Sequence, residues 1–157
     1  MMRTLQKTLW AISVLSAPLW AGSMWLEIGN PAANPEATAK QAVLVARITA
    51  CHAPEKTALT ATAEGMTNNG RQSIPLKVIR LSKPDTFAVT REWPKSGEWV
   101  VKIVATNPEF GNYATSVLVS ADDNTFNWAA VKHYPHAPTA AEVDAALGAK
   151  SAALAQQ

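Results

Sequence analysis

The chain has 157 residues, of which 17% are charged, with 14 Lys and Arg against 12 Asp and Glu. Its basic side chains are scattered singly, whereas nucleic-acid binding needs them in clusters, so the composition argues against that class of function. A single cysteine excludes an internal disulfide framework, and the fold must therefore depend on the burial of apolar side chains.

The first 23 residues have the pattern of a secretory signal peptide. Arg3 and Lys7 form a basic start, residues 8–20 carry no charge, and small residues at 21–23 suit cleavage by signal peptidase. Cleavage after Ser23 would leave 157 less 23, or 134 residues. Since Arg3 and Lys7 would leave with the signal, the mature chain would carry no formal net charge. The pattern predicts an exported protein, periplasmic or secreted.

The alternative is an uncleaved signal anchor over residues 9–26, which would tether the domain to a membrane. A membrane-spanning helix needs about 20 predominantly apolar residues, and this stretch is interrupted by serines, Pro18 and Gly22. The interruptions favour cleavage. Attachment through a lipid is not expected, because Cys51 is the only cysteine and lies far downstream.

Residues 24–41 contain two prolines and show no sustained hydrophobic period, which predicts a flexible spacer. From residue 42 onward, short strand patterns alternate with turn residues. Strands are predicted over residues 42–50, 57–64, 74–81, 87–93, 98–106 and 113–120, with a last short strand near Phe126 and Trp128.

Two details of these patterns bear on topology. The side-chain parity set by Leu76 and Val78 slips by one residue at Ile79, as a β-bulge would produce. Residues 94–97, with the sequence Pro-Lys-Ser-Gly, are expected to close a hairpin. The strand over 98–106 that follows has two apolar faces, which marks it as central in its sheet.

Six or seven short strands separated by Pro, Asn and Gly turns predict an all-β protein. We expect an antiparallel immunoglobulin-like β-sandwich over residues 42–131, with a closed barrel as the alternative. Residues 132–157 are expected to form a loop and one C-terminal α-helix. Thr139 and Glu142 have the spacing of a capping box at its start, and a thin apolar stripe that includes Leu147 predicts that the helix packs on the sandwich.

Residues 87–90 (Phe-Ala-Val-Thr) and 93–103 (Trp-Pro-Lys-Ser-Gly-Glu-Trp-Val-Val-Lys-Ile) carry a resemblance to a known family. They resemble the paired strands of small bacterial envelope domains with an immunoglobulin-like sandwich, the YtkA-like and FixH-like groups. The likeness covers about residues 59–119. It implies an accessory or binding domain of the cell envelope, with metal handling or respiratory-complex assembly among the roles of relatives, although this chain lacks a clear copper motif.

One set of residues has the composition of a metal site: Cys51, His52, His133 and His136, with Met66 as a further candidate. A thiolate, imidazoles and a thioether suit copper or zinc. However, Cys51 and His52 are adjacent, so on a regular strand their side chains point to opposite faces. The alternative interpretation is a buried thiol and surface histidines, in which case the protein needs no cofactor.

Five aromatic residues at predicted strand ends or in loops are candidates for stacking on a sugar or a peptide: Trp93, Phe110, Tyr113, Trp128 and Tyr134. The alternative interpretation, which we favour, is that Trp93, Trp99 and Trp128 fill the core, because large aromatic side chains dominate small sandwiches. The loop over residues 108–112 then has the best claim to function, since binding residues concentrate on loops.

The sequence contains no Gly-x-Ser-x-Gly motif, phosphate-binding loop or His-Glu-x-x-His motif, so catalysis is not expected. We predict a non-catalytic binding or structural module of the envelope. Its partner would be an envelope protein or a small ligand, recognised through strand edges and the loops around His52, Phe110 and Tyr134. One alternative is a periplasmic copper or zinc carrier, and another is a thiol-dependent enzyme with Cys51 as nucleophile. Membrane contact is expected only if the anchor is retained.

Overall fold

A computed structural model of the protein describes residues 24–50, 53–111, 113–122 and 125–154. Within these ranges two antiparallel β-sheets lie face to face, and a long helix covers the outer side of one of them. The strands are β1 Met24–Gly29, β2 Ala42–Ala50, β3 Ala58–Thr67, β4 Gly70–Pro75, β5 Val78–Arg80, β6 Thr86–Thr90, β7 Glu98–Thr106, β8 Ala114–Asp122, β9 Thr125–Phe126 and β10 Lys132–Tyr134. The α-helices are α1 Pro35–Ala39 and α2 Ala140–Leu154.

The strand order identifies the type of sandwich. The first sheet has the order β1-β2-β6-β5, and the second has the order β10-β8-β7-β3-β4, with β9 also paired to β8. Apart from β9 and β10, this is the immunoglobulin arrangement, in which one sheet holds strands A, B, E and D and the other holds G, F, C and C′. The predicted all-β sandwich with a C-terminal helix is confirmed, although the described residues form ten strands and not six or seven.

The interior between the sheets is filled by aliphatic and aromatic side chains. Trp99, Val101 and Ile103 alternate along β7 and face this interior, as predicted, and Leu26 and Leu44 belong to the same cluster from the first sheet. Full burial of one such side chain contributes about 1.5–3 kcal/mol. Apolar burial therefore supplies the stability that a chain without disulfides requires.

Residues 24–41 do not form a flexible spacer, so that prediction is wrong. β1 pairs antiparallel with β2 along its whole length, beginning with Met24 opposite Ala50. Met24 and Leu26 are buried in the core, and Trp25 between them is exposed. The strand was missed because its alternation is short and directly follows the apolar segment assigned to the signal.

The connection between β1 and β2 is ordered by its own side chains. Asn34 caps α1 by accepting a hydrogen bond from the N–H of Ala37 at 3.1 Å, and Pro35 occupies the first helical position. The Glu36 carboxylate accepts the N–H of Ser82 at 3.0 and 3.2 Å. These bonds hold the connection against the turn that follows β5.

Two predicted local features are in fact crossings between the sheets. The parity slip at Ile79 is not a bulge, because β4 ends at Pro75 in the second sheet and β5 begins at Val78 in the first. Residues 94–97 do not close a hairpin, because β6 pairs with β2 and β5 whereas β7 pairs with β3 and β8. Trp93 is only 3% exposed and belongs to the interior cluster, so the chain changes sheets beside it.

The segment 132–157 contains a strand in addition to the predicted loop and helix, since β10 pairs with β8. The predicted capping box is present: the N–H and hydroxyl of Thr139 donate to Glu142 Oε2 at 2.7 and 2.9 Å, and the Glu142 N–H donates to Thr139 Oγ1 at 3.3 Å. As expected, α2 packs on the second sheet, through the buried residues Val100, Leu118, Val143, Ala146 and Leu147.

In the described ranges, no helix combines the length and hydrophobicity needed to cross a bilayer.

Glu64 is a carboxylate that is almost fully covered, 6% exposed, on the outer side of the second sheet. Lys102 Nζ lies 2.8 Å from its Oε1, and the hydroxyls of Thr62 and Ser73 each donate to it at 3.0 Å. Burial by itself raises the pKa of a carboxyl, but these donors outweigh burial and hold the pKa of Glu64 below its usual 4.5. The ionised form is therefore the form that stabilises the fold.

We expect Glu64→Gln to destabilise the protein by about 2 kcal/mol at pH 7 and by much less at pH 3. Because the folded pKa is lowered, the contribution of Glu64 is present above the unfolded pKa of about 4.5 and is lost as the pH falls through the folded value. Urea unfolding of wild type and variant at both pH values measures the difference. Glu27→Gln, on the exposed side of β1, is the control, and a penalty independent of pH would contradict the argument.

Candidate functional site

The predicted metal ligands are not brought together in the part of the chain that the structure describes. Cys51 and His52 lie outside the described residues, and among those described no three His, Cys, Asp or Glu side chains gather closely enough to hold a metal ion. Met66 is exposed near the end of β3, in a cleft formed by the turn after β3 and the residues around the start of β7, and no histidine or cysteine lines it. Copper or zinc binding stays a prediction.

The two described histidines have separate partners. The His133 ring on β10 stacks on Trp25 of β1, with ring centres 4.7 Å apart and planes 12° from parallel. This contact bridges one edge of each sheet. His136 Nε2 lies 3.0 Å from Glu142 Oε1, and hydrogen bonds from Thr139 together with this contact hold the pKa of Glu142 below its usual value. The two imidazoles therefore contact different elements at the rim of the sandwich.

The five candidate aromatic residues do not form one site. Trp93 lies in the core, as the alternative interpretation held, and Tyr134 is half-buried beside α2. Phe110 and Tyr113 lie in the connection after β7, at the end of the sandwich where β7 finishes. Trp128 lies at the other end, because it follows β9, which pairs with β8 opposite the start of β7. Trp128 is 38% exposed, so it does not fill the core.

Trp128 lines a concave surface at this end of the sandwich. This aromatic cleft has a volume of about 590 Å³ and lies between the connection from β1 to β2 and the segment 125–128. Its size is within the usual range for small-ligand sites. Its lining residues include Asn30, Thr38, Gln41, Val43, Phe126 and Trp128.

The exposed ring of Trp128 has a rigid support. Its centre lies 5.1 Å from that of Phe126, and the Phe126 ring meets Trp93 edge-on at 6.1 Å and 75°. This aromatic row runs from the buried core to the cleft wall. Aromatic pairs of this kind are favourable by about 0.5–1.5 kcal/mol beyond the area that they bury, so the row fixes the plane that Trp128 presents.

The rest of the lining is uncharged: Pro31, Ala32, Ala42 and Val43 are apolar, and Asn30, Thr38, Gln41 and Thr125 are polar. Asn30 uses its side-chain oxygen to accept the N–H of Ala32 at 2.8 Å. The Thr38 hydroxyl donates to Pro31 O at 3.0 Å, which fixes it in place. The Gln41 side chain is exposed. Since no ionisable side chain lines this cleft, its chemistry suits stacking on an uncharged ring and hydrogen bonding from amides.

Gln41 is one of the cleft residues that sequence analysis missed. It has φ 56°, an uncommon conformation for a residue with a side chain, and the register of β2 on β6 shifts immediately afterwards, between Ala42 and Leu44. Bulges and left-handed residues recur beside functional sites. No pattern in the sequence marks Gln41, because its position depends on where α1 ends and β2 begins.

The fold and the cleft together define an immunoglobulin-like sandwich with an aromatic cleft at one end. This scaffold supports many unrelated functions. Neither a family model, a curated protein nor a solved structure matches the chain. The resemblance to YtkA-like and FixH-like domains therefore stays a prediction, and function has to be inferred from the side chains of the chain itself.

Proposed function

We propose that this protein is an exported, non-catalytic binding module of the cell envelope that holds a saccharide in its aromatic cleft. The observation that carries this proposal is the partly exposed Trp128 ring, supported from behind and bordered by neutral amides. Aromatic faces with nearby amide groups suit the apolar ring faces and hydroxyl rims of sugars. The signal pattern of residues 1–23 supports export.

A saccharide fits the cleft better than a peptide strand does. Peptides that add to a sheet need several residues of an open strand edge. Here the lining comes mainly from connections and strand ends, since Asn30 follows β1, Gln41 precedes β2 and Trp128 follows β9. A wall of this kind presents side chains and not a row of open backbone groups, and side chains suit the recognition of a compact polar ring.

The non-catalytic part of the proposal is supported by the lack of a recognisable enzyme motif in the sequence. A thiol enzyme and a metal carrier would both depend on Cys51, which lies outside the described residues. Oligosaccharide bound by the protein should therefore be recovered with its original chain length after prolonged incubation.

We expect Trp128→Ala to weaken saccharide binding about tenfold or more, because the variant loses the stacking surface. The purified protein is screened against immobilised neutral and acidic oligosaccharides, and the affinity for the strongest binder is then measured by titration calorimetry. Trp128→Phe should keep most of the affinity, since it retains an aromatic face.

Trp25→Ala is the matched control, because Trp25 is also an exposed tryptophan, at 49%, but lies away from the cleft. It should leave the affinity unchanged. Equal affinity of wild type and Trp128→Ala, or an equal loss in both tryptophan variants, would contradict binding in this cleft.

A further inference from the structure

A second cleft adjoins the aromatic one around the start of β2. It has a volume of about 430 Å³ and shares Gln41 and Val43 with the aromatic cleft. Val43 lies at the register shift of β2, between the paired residues Ala42 and Leu44. One ligand could therefore contact both clefts by passing over these two residues.

The second cleft differs from the first in charge. Lys40, Lys77 and Arg91 line it, against the single carboxylate of Glu92. Glu92 accepts a hydrogen bond from the Thr90 hydroxyl at 2.9 Å. Elsewhere in the described chain, Lys56, Lys83 and Lys102 each pair with a carboxylate.

Neither Lys40 nor Lys77 has a carboxylate within 4.0 Å among the described residues. We call the second cleft the basic cleft. Its positive excess stands out because the chain from residue 24 onward has equal numbers of basic and acidic side chains. Two exposed ammonium groups at one concave surface favour an anion there.

The basic cleft is assembled from separate elements that are held in place. Lys40 is the C-terminal cap residue of α1, and α1 is held in place because its Glu36 carboxylate accepts the N–H of Ser82. Lys77 lies in the crossing from β4 to β5, where its carbonyl accepts the N–H of Thr90 at 3.1 Å. Arg91 Nε donates to Trp93 O at 3.0 Å, and its guanidinium carbon lies 5.4 Å from the centre of the Trp93 ring.

The aromatic row therefore connects the two clefts from behind. Arg91 lines the basic cleft and contacts Trp93, which in turn meets Phe126 in the wall of the aromatic cleft. The two surfaces share side chains in front and a packed row beneath. We refer to these two adjoining clefts together as the groove.

We propose that the ligand of this groove is an acidic saccharide, with one sugar ring on Trp128 and an anionic group beside Lys40 and Lys77. This inference rests on the proposed saccharide-binding function and adds the class of ligand. An anionic group on a sugar can be a carboxylate, a sulfate or a phosphate. All three share negative charge and acceptor oxygens that lysine ammonium groups bind.

The test compares one saccharide with and without its charge. Tetragalacturonic acid and its fully methyl-esterified form are titrated into wild type and into the double variant Lys40→Gln/Lys77→Gln. Sulfated and phosphorylated oligosaccharides in the immobilised screen identify the anion that is preferred. We expect the anionic forms to bind wild type about tenfold more tightly than neutral forms at low salt, and this preference to fade as salt screens the charges.

The double variant should lose the preference for anionic forms and keep the affinity for the neutral form. Lys95→Gln/Lys132→Gln, which changes the same amount of charge at exposed positions outside both clefts, should behave as wild type does. Equal binding of charged and neutral forms, or an unchanged preference in the Lys40/Lys77 variant, would overturn the acidic ligand and leave saccharide binding standing. If no member of the screen binds, or if Trp128→Ala leaves the affinity unchanged, the proposed function fails as well.

Discussion

Replacement of Gly65 by alanine is expected to cost about 3 kcal/mol or more of folding free energy. Gly65 in β3 lies directly opposite Trp99 in β7, and the indole ring covers it. A Cβ atom at this position would come within 2.3 Å of Trp99 Cε3. Contacts this short do not occur in stable structures, so the ring or the strand must move.

Trp99 has little freedom to make room. Its side chain is fully buried, and its Nε1 donates a hydrogen bond to Ser96 O at 3.0 Å. Closely packed interiors relax only partly when atoms are added. The strain introduced at Gly65 therefore stays in the fold as lost stability.

Urea unfolding checks this prediction. We expect the urea concentration at the midpoint of unfolding to fall by more than about 1 M. Gly29→Ala in β1 makes the same chemical change where nothing lies within 4 Å of the added Cβ. It should be neutral or stabilise slightly, because alanine has less conformational freedom than glycine in the unfolded chain. Similar midpoints for the two variants would show that the Trp99 ring yields.

The sandwich could be predicted because its strands obey the alternation that a two-layer core imposes. Trp99, Val101 and Ile103 recur at every second position, so their burial in β7 follows from strand geometry alone. The crossings between sheets could not be predicted in the same way. A seven-residue link such as 91–97 fits a hairpin or a crossing equally well, and only the pairing of β6 with β2 decides between them.

The candidate site was much harder to predict than the fold. Trp128 was identified as a stacking residue, but it was grouped with residues at the opposite end of the sandwich, such as Phe110. The other wall of the cleft comes from residues 30–43. Their conformation depends on the pairing of β1 with β2 and on the hydrogen bond that the Ser82 N–H donates to the Glu36 carboxylate. Both are long-range contacts, which local patterns do not record.

Asn107→Asp is expected to cost about 3 kcal/mol at pH 7, because it places a carboxylate where the fold requires a donor. Asn107 is 0% exposed, and its Nδ2 donates to Ala53 O at 2.9 Å and to Thr57 Oγ1 at 3.1 Å. Its Oδ1 accepts the N–H of Glu109 at 3.0 Å. These bonds join the connection after β7 to the segment that precedes β3, so their loss loosens one whole end of the sandwich.

The sign of the pH dependence separates this prediction from a simple loss of packing. In the variant, burial and the facing Ala53 carbonyl disfavour the charged form, so the folded pKa of the new carboxyl lies above its unfolded value of about 3.9. The protonated acid can donate one hydrogen bond, so the variant regains stability relative to wild type as the pH falls from 7 toward 4. Asn68→Asp, in the exposed turn between β3 and β4, should change stability by less than about 0.5 kcal/mol. A penalty at position 107 that is small, or that grows on acidification, would mean that the amide does not hold this end of the sandwich together.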